Sequence, residues 1–143
     1  MHYFISAPFL KTAAVSVVLF ILLDLIWLAA IARTLYFRHL GYLAEIQGGR
    51  IVFNLPVGLL VQAIIGFGLA FFVSLALQVQ EGLAVAIGVG ALAGFVLYCT
   101  YDLTNLSFIK GYPVAITLID IAWGTAQGFF AGIYVYFLSR WLA

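Results

Sequence analysis

The chain contains very little charge. Only 8% of its 143 residues are Asp, Glu, Lys or Arg, whereas 66% are hydrophobic. In soluble domains roughly 25% of the residues are charged and about half are apolar. A water-soluble fold has no room for this much apolar surface, so the composition indicates a membrane protein. The formal net charge of +1 offers no basic patch for nucleic acid, and we expect no nucleic-acid partner.

Cysteine and histidine are also scarce. The single cysteine, Cys99, excludes an intrachain disulfide and a Cys-x-x-Cys metal site, and we interpret it as a small packed residue. His2 and His39 lie outside the apolar runs, so no intramembrane histidine pair is available for haem or a metal. Phosphate-binding glycine loops and serine-nucleophile motifs are missing as well. We therefore expect no cofactor and no metal, and the sequence leaves open whether the protein is an enzyme.

Four long apolar runs make up most of the chain. They cover about residues 12–32, 51–77, 83–108 and 113–139, and each is close to or above the roughly 20 residues that a helix needs to cross a bilayer. The connection over 33–50 is polar and holds three arginines, while the other two connections are short. This pattern predicts an all-α integral membrane protein with one transmembrane domain, 1–143, folded as an up-down four-helix bundle.

Basic residues are distributed unequally between the two ends of the predicted bundle. Four lie at one end and two at the other; they are Arg33, Arg38, Arg50 and Lys110 against Lys11 and Arg140. Because short cytoplasmic loops carry the excess of Lys and Arg, the end with four basic residues is predicted to be cytoplasmic. Both termini are then predicted to lie outside.

Small residues recur at four-residue spacing in three of the runs. Lipid tails are as apolar as leucine, so membrane helices associate through such small residues and through polar contacts. The predicted helix-packing residues of the third and fourth runs are Gly90, Gly94, Gly124, Gly128 and Gly132. Two interpretations of these glycines stay open, namely tight packing within the bundle and a face for self-association or for docking into a larger complex.

Three acidic residues, Asp24, Asp102 and Asp120, interrupt the apolar runs. Counted from the flanks at 1.5 Å per residue, each lies about 12–14 Å inside the predicted cytoplasmic boundary. A carboxylate at this depth normally faces the bundle interior or a cavity. We therefore expect an acid-lined pocket in which at least one aspartate is protonated at pH 7. The candidate ligand-binding or proton-binding residues are Asp24, Asp102, Asn105, Asp120, Tyr101, Trp27, Trp123, Asn54 and Gln62.

The two halves of the chain share short motifs in the same order: an Asp-Leu pair, a proline near the start of the next run, and a polar residue with a glycine four positions later. The matching pairs are Asp24 and Asp102, Pro56 and Pro113, Gln62 and Asp120, and Gly66 and Gly124. These matches favour a duplicated two-helix hairpin, a construction common in membrane carriers. Chance similarity is the alternative interpretation.

The polar motifs also resemble those of a known family. They are Tyr-Asp-Leu-Thr-Asn-Leu at 101–106, Asp-Ile-Ala-Trp-Gly at 120–124 and Leu-Asp-Leu-Ile-Trp at 23–27. Over nearly its whole length the chain resembles a bacterial family of small predicted membrane proteins, a domain of unknown function. The resemblance implies four transmembrane helices, a place in the bacterial inner membrane and no assigned activity; with the orientation predicted from the basic residues, both termini are expected to be periplasmic.

Three functions are consistent with these features. The leading hypothesis is that the acid-lined pocket binds a lipid-like or cationic small molecule, with membrane lipids as the expected partners. A small proton-coupled carrier, acting as a homo-oligomer, is the second. The third is an accessory subunit of a larger membrane complex, in which the aspartates only hold the helices together by hydrogen bonds.

Overall fold

The structure is a computed structural model that describes residues 2–143. Apart from one small hairpin, the regular elements in this range are helical. They are a 3-10 turn at His2–Ile5, α1 at Ala7–Ile26, a π-helical turn at Trp27–Ala32, α2 at Arg33–Leu40, β1 at Ile46–Gln47, β2 at Arg50–Ile51, α3 at Leu55–Val79, α4 at Leu83–Phe108 and α5 at Val114–Trp141. Four stretches are long and apolar enough to cross a membrane: Ala7–Leu40, α3, α4 and α5. The predicted four-helix membrane bundle is confirmed.

The four long helices are arranged so that α3 and α5 form the short diagonal of the bundle. Helix α5 packs against α1, α3 and α4, and α3 packs against α1, α4 and α5. The contact between α4 and α5 is the most extensive in the molecule. Helices α3 and α5 therefore each contact the other three long helices.

The glycines of α4 and α5 bring the two backbones into direct contact. A methyl group on Gly90 would overlap the carbonyl oxygen of Gly128, and one on Gly94 would overlap that of Gly124. Gly132 lies equally close to the backbone of α4. All five predicted packing glycines of α4 and α5 are buried. In the structure they pack the two helices of the same chain against each other.

Helices α1 and α3 touch at one level and then separate. A Cβ atom on Gly66 would lie 3.1 Å from Cβ of Phe20 and 3.2 Å from Cα of Val17, both in α1. Two turns earlier on α3, a Cβ atom on Gly58 would meet nothing within 4 Å in the described part of the chain. The two helices thus diverge from Gly66 towards the start of α3.

The aromatic–glycine contact of the α1–α3 pair occurs again in the α4–α5 pair. In both, an aromatic ring four residues before an aspartate packs on a glycine of the next long helix; the pairs are Phe20 with Gly66 and Tyr98 with Gly124. This shared contact favours the duplicated hairpin, which stays a prediction.

The first helix is longer than the sequence predicts. The apolar run ends near residue 32, and a polar connection is expected from Arg33, but the structure stays helical to Leu40. The π-helical turn has a clear consequence for which side chains meet. Trp27 and Tyr36 are nine residues apart, which in an α-helix turning about 100° per residue places them on opposite faces. Here Trp27 Nε1 donates to Tyr36 OH at 3.5 Å, because the wider π turn takes up residues with less rotation.

A short hairpin follows α2 and was not expected from the sequence. Strands β1 and β2 pair antiparallel with Gln47 opposite Arg50. The two-residue turn between them is Gly48-Gly49, with φ of 56° and 73°, the left-handed region that tight hairpin turns require. Tyr42 OH donates to the carbonyl oxygen of Gly111 at 2.9 Å, which ties this connection to the α4–α5 turn. We call this end of the bundle, with α2, the hairpin and the α4–α5 turn, the arginine end.

The backbone contact between α4 and α5 predicts opposite effects for two neighbouring glycines. Gly90→Ala should lower the free energy of unfolding by about 1–3 kcal/mol, because its methyl group overlaps the α5 backbone. Gly88→Ala, on the same helix but with open space at its Cβ position, should be neutral or stabilising by up to about 1 kcal/mol. Unfolding in detergent micelles measures both, and equal effects of the two changes would contradict the packing.

Candidate functional site

One buried carboxylate, Asp24, connects α1 to two other helices. Its Oδ1 accepts hydrogen bonds from Trp123 Nε1 at 3.1 Å and from Gln127 Nε2 at 3.0 Å, both on α5. Its Oδ2 accepts a hydrogen bond from Gln62 Nε2 on α3. Asp24 is only 5% exposed, so three N–H donors take the place of the water that a carboxylate would bind outside the membrane.

Gln127 extends this network to the fourth helix. Its side chain is fully buried, and its Oε1 accepts a hydrogen bond from Tyr98 OH of α4 at 2.6 Å. The hydrogen bond from Tyr98 holds the Gln127 amide with its oxygen towards α4. The amide nitrogen, Nε2, therefore faces Asp24. We call the set Asp24, Gln62, Tyr98, Trp123 and Gln127 the Asp24 network; it includes a side chain from every long helix.

The second aspartate, Asp120, has a different partner. Its Oδ1 accepts a hydrogen bond from Tyr36 OH of α2, and Tyr36 in turn accepts one from Trp27. The ring of Trp27 stacks on that of Trp123 with a centroid distance of 4.4 Å and an interplanar angle of 9°. The stacking of Trp27 on Trp123 therefore links Asp120 and Tyr36 to the Asp24 network.

The third aspartate, Asp102, is fully buried near the arginine end. Tyr112, in the turn between α4 and α5, donates its hydroxyl to Asp102 Oδ1 at 3.2 Å. Burial raises the pKa of Tyr112 to about 12, further above neutral pH than the ordinary phenol value of about 10, so the hydroxyl keeps the proton that it donates. The second oxygen, Asp102 Oδ2, is buried without a hydrogen-bond partner in residues 2–143.

The three aspartates have three different sets of hydrogen-bond partners. All three aspartates are buried, but within the described chain no hydrogen bond joins one to another, and only Asp24 lines the large cavity. Nor do residues 2–143 bring three His, Cys, Asp or Glu side chains together in a way that could hold a metal ion.

The large cavity occupies the space where α1 and α3 diverge. Its volume is about 520 Å³, and it runs between the first helix, the hairpin and the first two turns of α3. Most of its lining is aliphatic or aromatic and includes Leu25, Leu28, Phe53 and Leu59. The polar lining residues are Asp24, Arg33, Thr34, Tyr36, Arg50, Asn54 and Gln62. We call this cavity the α1–α3 groove.

The two ends of the groove differ in charge. Asp24 and Gln62 lie at the inner end, next to the level at which α1 and α3 touch. Arg33, the first residue of α2, and Arg50, in β2, line it at the arginine end. Both arginines fall in the stretch 33–50 that the sequence predicts as a polar connection, and neither is among the predicted site residues.

Other residues of the predicted site lie elsewhere. Tyr101 is 64% exposed and, with Asn105, lines a separate shallow depression on the outer face of α4. Asn54 caps α3, because its Oδ1 accepts the backbone N–H of Val57 at 3.3 Å, and its side chain also borders the α1–α3 groove.

Three partners of the aspartates were not predicted. Gln127 lies seven residues after Asp120, two helical turns along the same face, and this spacing was a usable signal. Tyr36 and Tyr112 fall in stretches interpreted as loops, and no periodicity in the sequence points to them.

Comparison with known proteins identifies the family. The family described as "Predicted membrane protein (DUF2177)" matches residues 9–137, which confirms the resemblance seen in the polar motifs. No curated protein matches the chain, and no solved structure does either.

The three donors around Asp24 predict how its replacements will behave. Asp24→Leu leaves three buried N–H groups unpaired, and each such group costs about 1–3 kcal/mol. Asp24→Asn should stay within about 1 kcal/mol of wild type, because the Gln62 amide can turn its Oε1, which has no partner in residues 2–143, towards the new NH₂ group.

The matched control is Asp120→Leu, which removes the acceptor of a single donor, the Tyr36 hydroxyl. Asp24→Leu should therefore destabilise the protein by at least about 2 kcal/mol more than Asp120→Leu. Unfolding in detergent measures all three variants. Similar losses for Asp24→Leu and Asp120→Leu would contradict the three-donor arrangement.

Proposed function

Since the chain belongs to the DUF2177 family of predicted membrane proteins, whose description gives no activity, we propose a function from geometry: the protein binds a lipid-like amphiphile in the α1–α3 groove. Small-molecule sites are clefts of roughly 300–1,000 Å³ with mostly apolar walls and a few polar groups. The α1–α3 groove, at about 520 Å³ with an apolar lining and polar ends, has these properties. It is the observation on which the proposal depends.

The rim of the groove suits an apolar chain that enters from the bilayer. Leu25, Phe53, Leu55 and Leu59 border it and are 48–66% exposed. In a multi-pass membrane protein, exposed apolar side chains along a spanning helix contact lipid tails. An acyl or similar chain can therefore move into the groove sideways without crossing a polar surface.

The Asp24 network supports the groove from behind. The hydrogen bond between Asp24 and Gln62 joins α1 to α3 at the inner end and so holds the two helices at a fixed separation there. Both oxygens of Asp24 already accept hydrogen bonds from protein donors. In this proposal Asp24 is a structural wall of the site, and the ligand contacts come from the apolar lining and the arginine end.

A proton-coupled carrier is the second candidate, and one observation favours it. Buried hydroxyls without partners in residues 2–143 continue beyond Asp24 and Gln62 into the opposite half of the bundle; they are those of Thr12, Ser16, Ser74 and Tyr134. Ordered water is the usual partner of such groups, and a hydrated interior would give protons a path. The test is proton flux into proteoliposomes: the carrier predicts flux that Asp24→Asn abolishes, and wild-type vesicles as tight as protein-free ones would exclude it.

Blocking the groove tests the amphiphile proposal. Gly58 lines the groove with open space at its Cβ position, and Gly68, also on α3, has equal space but lies outside the groove. Gly58→Phe should therefore fill the groove without disturbing the backbone, while Gly68→Phe serves as the matched control.

Native mass spectrometry of the purified proteins, with extraction of bound lipid, measures the result. Wild type and Gly68→Phe should carry an amphiphile at near one-to-one stoichiometry, and Gly58→Phe should carry at least about tenfold less, a loss of about 1.4 kcal/mol in binding. Equal retention by the two phenylalanine variants, or wild type free of any amphiphile, would overturn the proposal.

A further inference from the structure

We propose that the amphiphile bound in the α1–α3 groove carries a phosphomonoester head group, held by Arg33 and Arg50. This inference rests on the proposed function and adds the chemical class of the ligand. It starts from an imbalance of charge, because the two arginines line the same apolar groove and neither forms an ion pair with an acidic side chain of the described residues. The ion pair found in residues 2–143, Arg140 with Glu81, lies at the opposite end of the bundle.

The two arginines belong to separate elements, and both line the groove. Arg33 begins α2, directly after the π-helical turn, and Arg50 begins β2, directly after the Gly48-Gly49 turn. The fold thus brings two cations to one end of a single apolar cavity, although 16 residues of chain lie between them. An anion in the groove would neutralise both.

The number of arginines favours phosphate over carboxylate. Each guanidinium offers a planar fork of N–H donors that binds two oxygens of an anion at once. One arginine satisfies a carboxylate, which has two oxygens and a single charge. A phosphomonoester carries about −1.5 to −2 at pH 7 and three terminal oxygens, so it matches two arginines in both charge and acceptors.

The orientation of the ligand follows from the position of the arginines along the groove and from the acidic side chain at its inner end. Along the first helix, Arg33 is nine residues beyond Asp24, about 12–14 Å nearer the membrane surface. Basic side chains near the ends of spanning helices reach the level of the lipid head groups. The acidic side chain at the inner end disfavours an anion there, so the phosphate belongs at the arginine end, with the apolar chain running past Leu28 and Leu25 towards Asp24.

Lipid binding to the full-length protein in detergent, measured by native mass spectrometry, tests the inference. The probes are phosphatidic acid, oleic acid, phosphatidylcholine and diacylglycerol, with inorganic phosphate as a competitor. The variants are Arg33→Gln, Arg50→Gln and the control Arg38→Gln, an arginine of α2 outside the groove lining. Phosphatidic acid should bind at least about tenfold more tightly than the other three, and each groove arginine should contribute about tenfold.

The outcomes separate the head group from the groove itself. Loss of phosphatidic acid selectivity in Arg33→Gln and Arg50→Gln, with Arg38→Gln unchanged, supports the inference. If these two variants keep wild-type selectivity, or lose all four lipids equally, the head-group assignment is overturned.

Two further results distinguish a failure of the head-group inference from a failure of the proposed function. If Gly58→Phe removes every lipid while the arginine variants keep wild-type selectivity, the groove binds amphiphiles by their chains alone and only the head-group inference fails. If Gly58→Phe binds phosphatidic acid like wild type, the proposed function fails as well. Displacement of phosphatidic acid by inorganic phosphate at equal concentration would identify a site for free phosphate and overturn the amphiphile.

Discussion

The hydrogen bonds to the Asp24 carboxylate are the interaction on which the rest of the interior depends. One side chain of α1 accepts donors from α3 and α5, and Gln127 passes the connection on to Tyr98 of α4. Lipid supplies no hydrophobic drive for helices to associate, so polar contacts and close packing decide their arrangement. Here one buried acid specifies the relative positions of all four helices at a single level.

The bundle combines a tightly packed half with an open one. Glycines let the backbones of α4 and α5 touch along much of their length, which leaves no space between them. Helices α1 and α3 meet at Gly66 and at the bond between Asp24 and Gln62, and then diverge towards the arginine end. The groove is the result of this divergence, and the π-helical turn with α2 and the hairpin completes its wall.

The features that could be predicted from the sequence are those that depend on composition and on residue spacing within one helix. The number of membrane-spanning helices, the burial of the three aspartates and the packing of the glycines follow from hydropathy and from four-residue spacing. Both are properties of each helix by itself. The π-helical turn shifts Tyr36 onto a face that α-helical spacing does not predict. Contacts across the bundle, such as Gln127 with Asp24, and the meeting of Arg33 with Arg50 at one groove depend on tertiary packing.

A double-mutant cycle between Asp24 and Gln127 tests the central claim most directly. Asp24→Leu, Gln127→Leu and the double variant are compared with wild type by their free energies of unfolding in detergent. A shared hydrogen bond predicts a coupling energy of about 1 kcal/mol or more, above the roughly 0.6 kcal/mol average for polar pairs between membrane helices. Losses that add to within about 0.3 kcal/mol would show that the two side chains act independently, and would contradict the account.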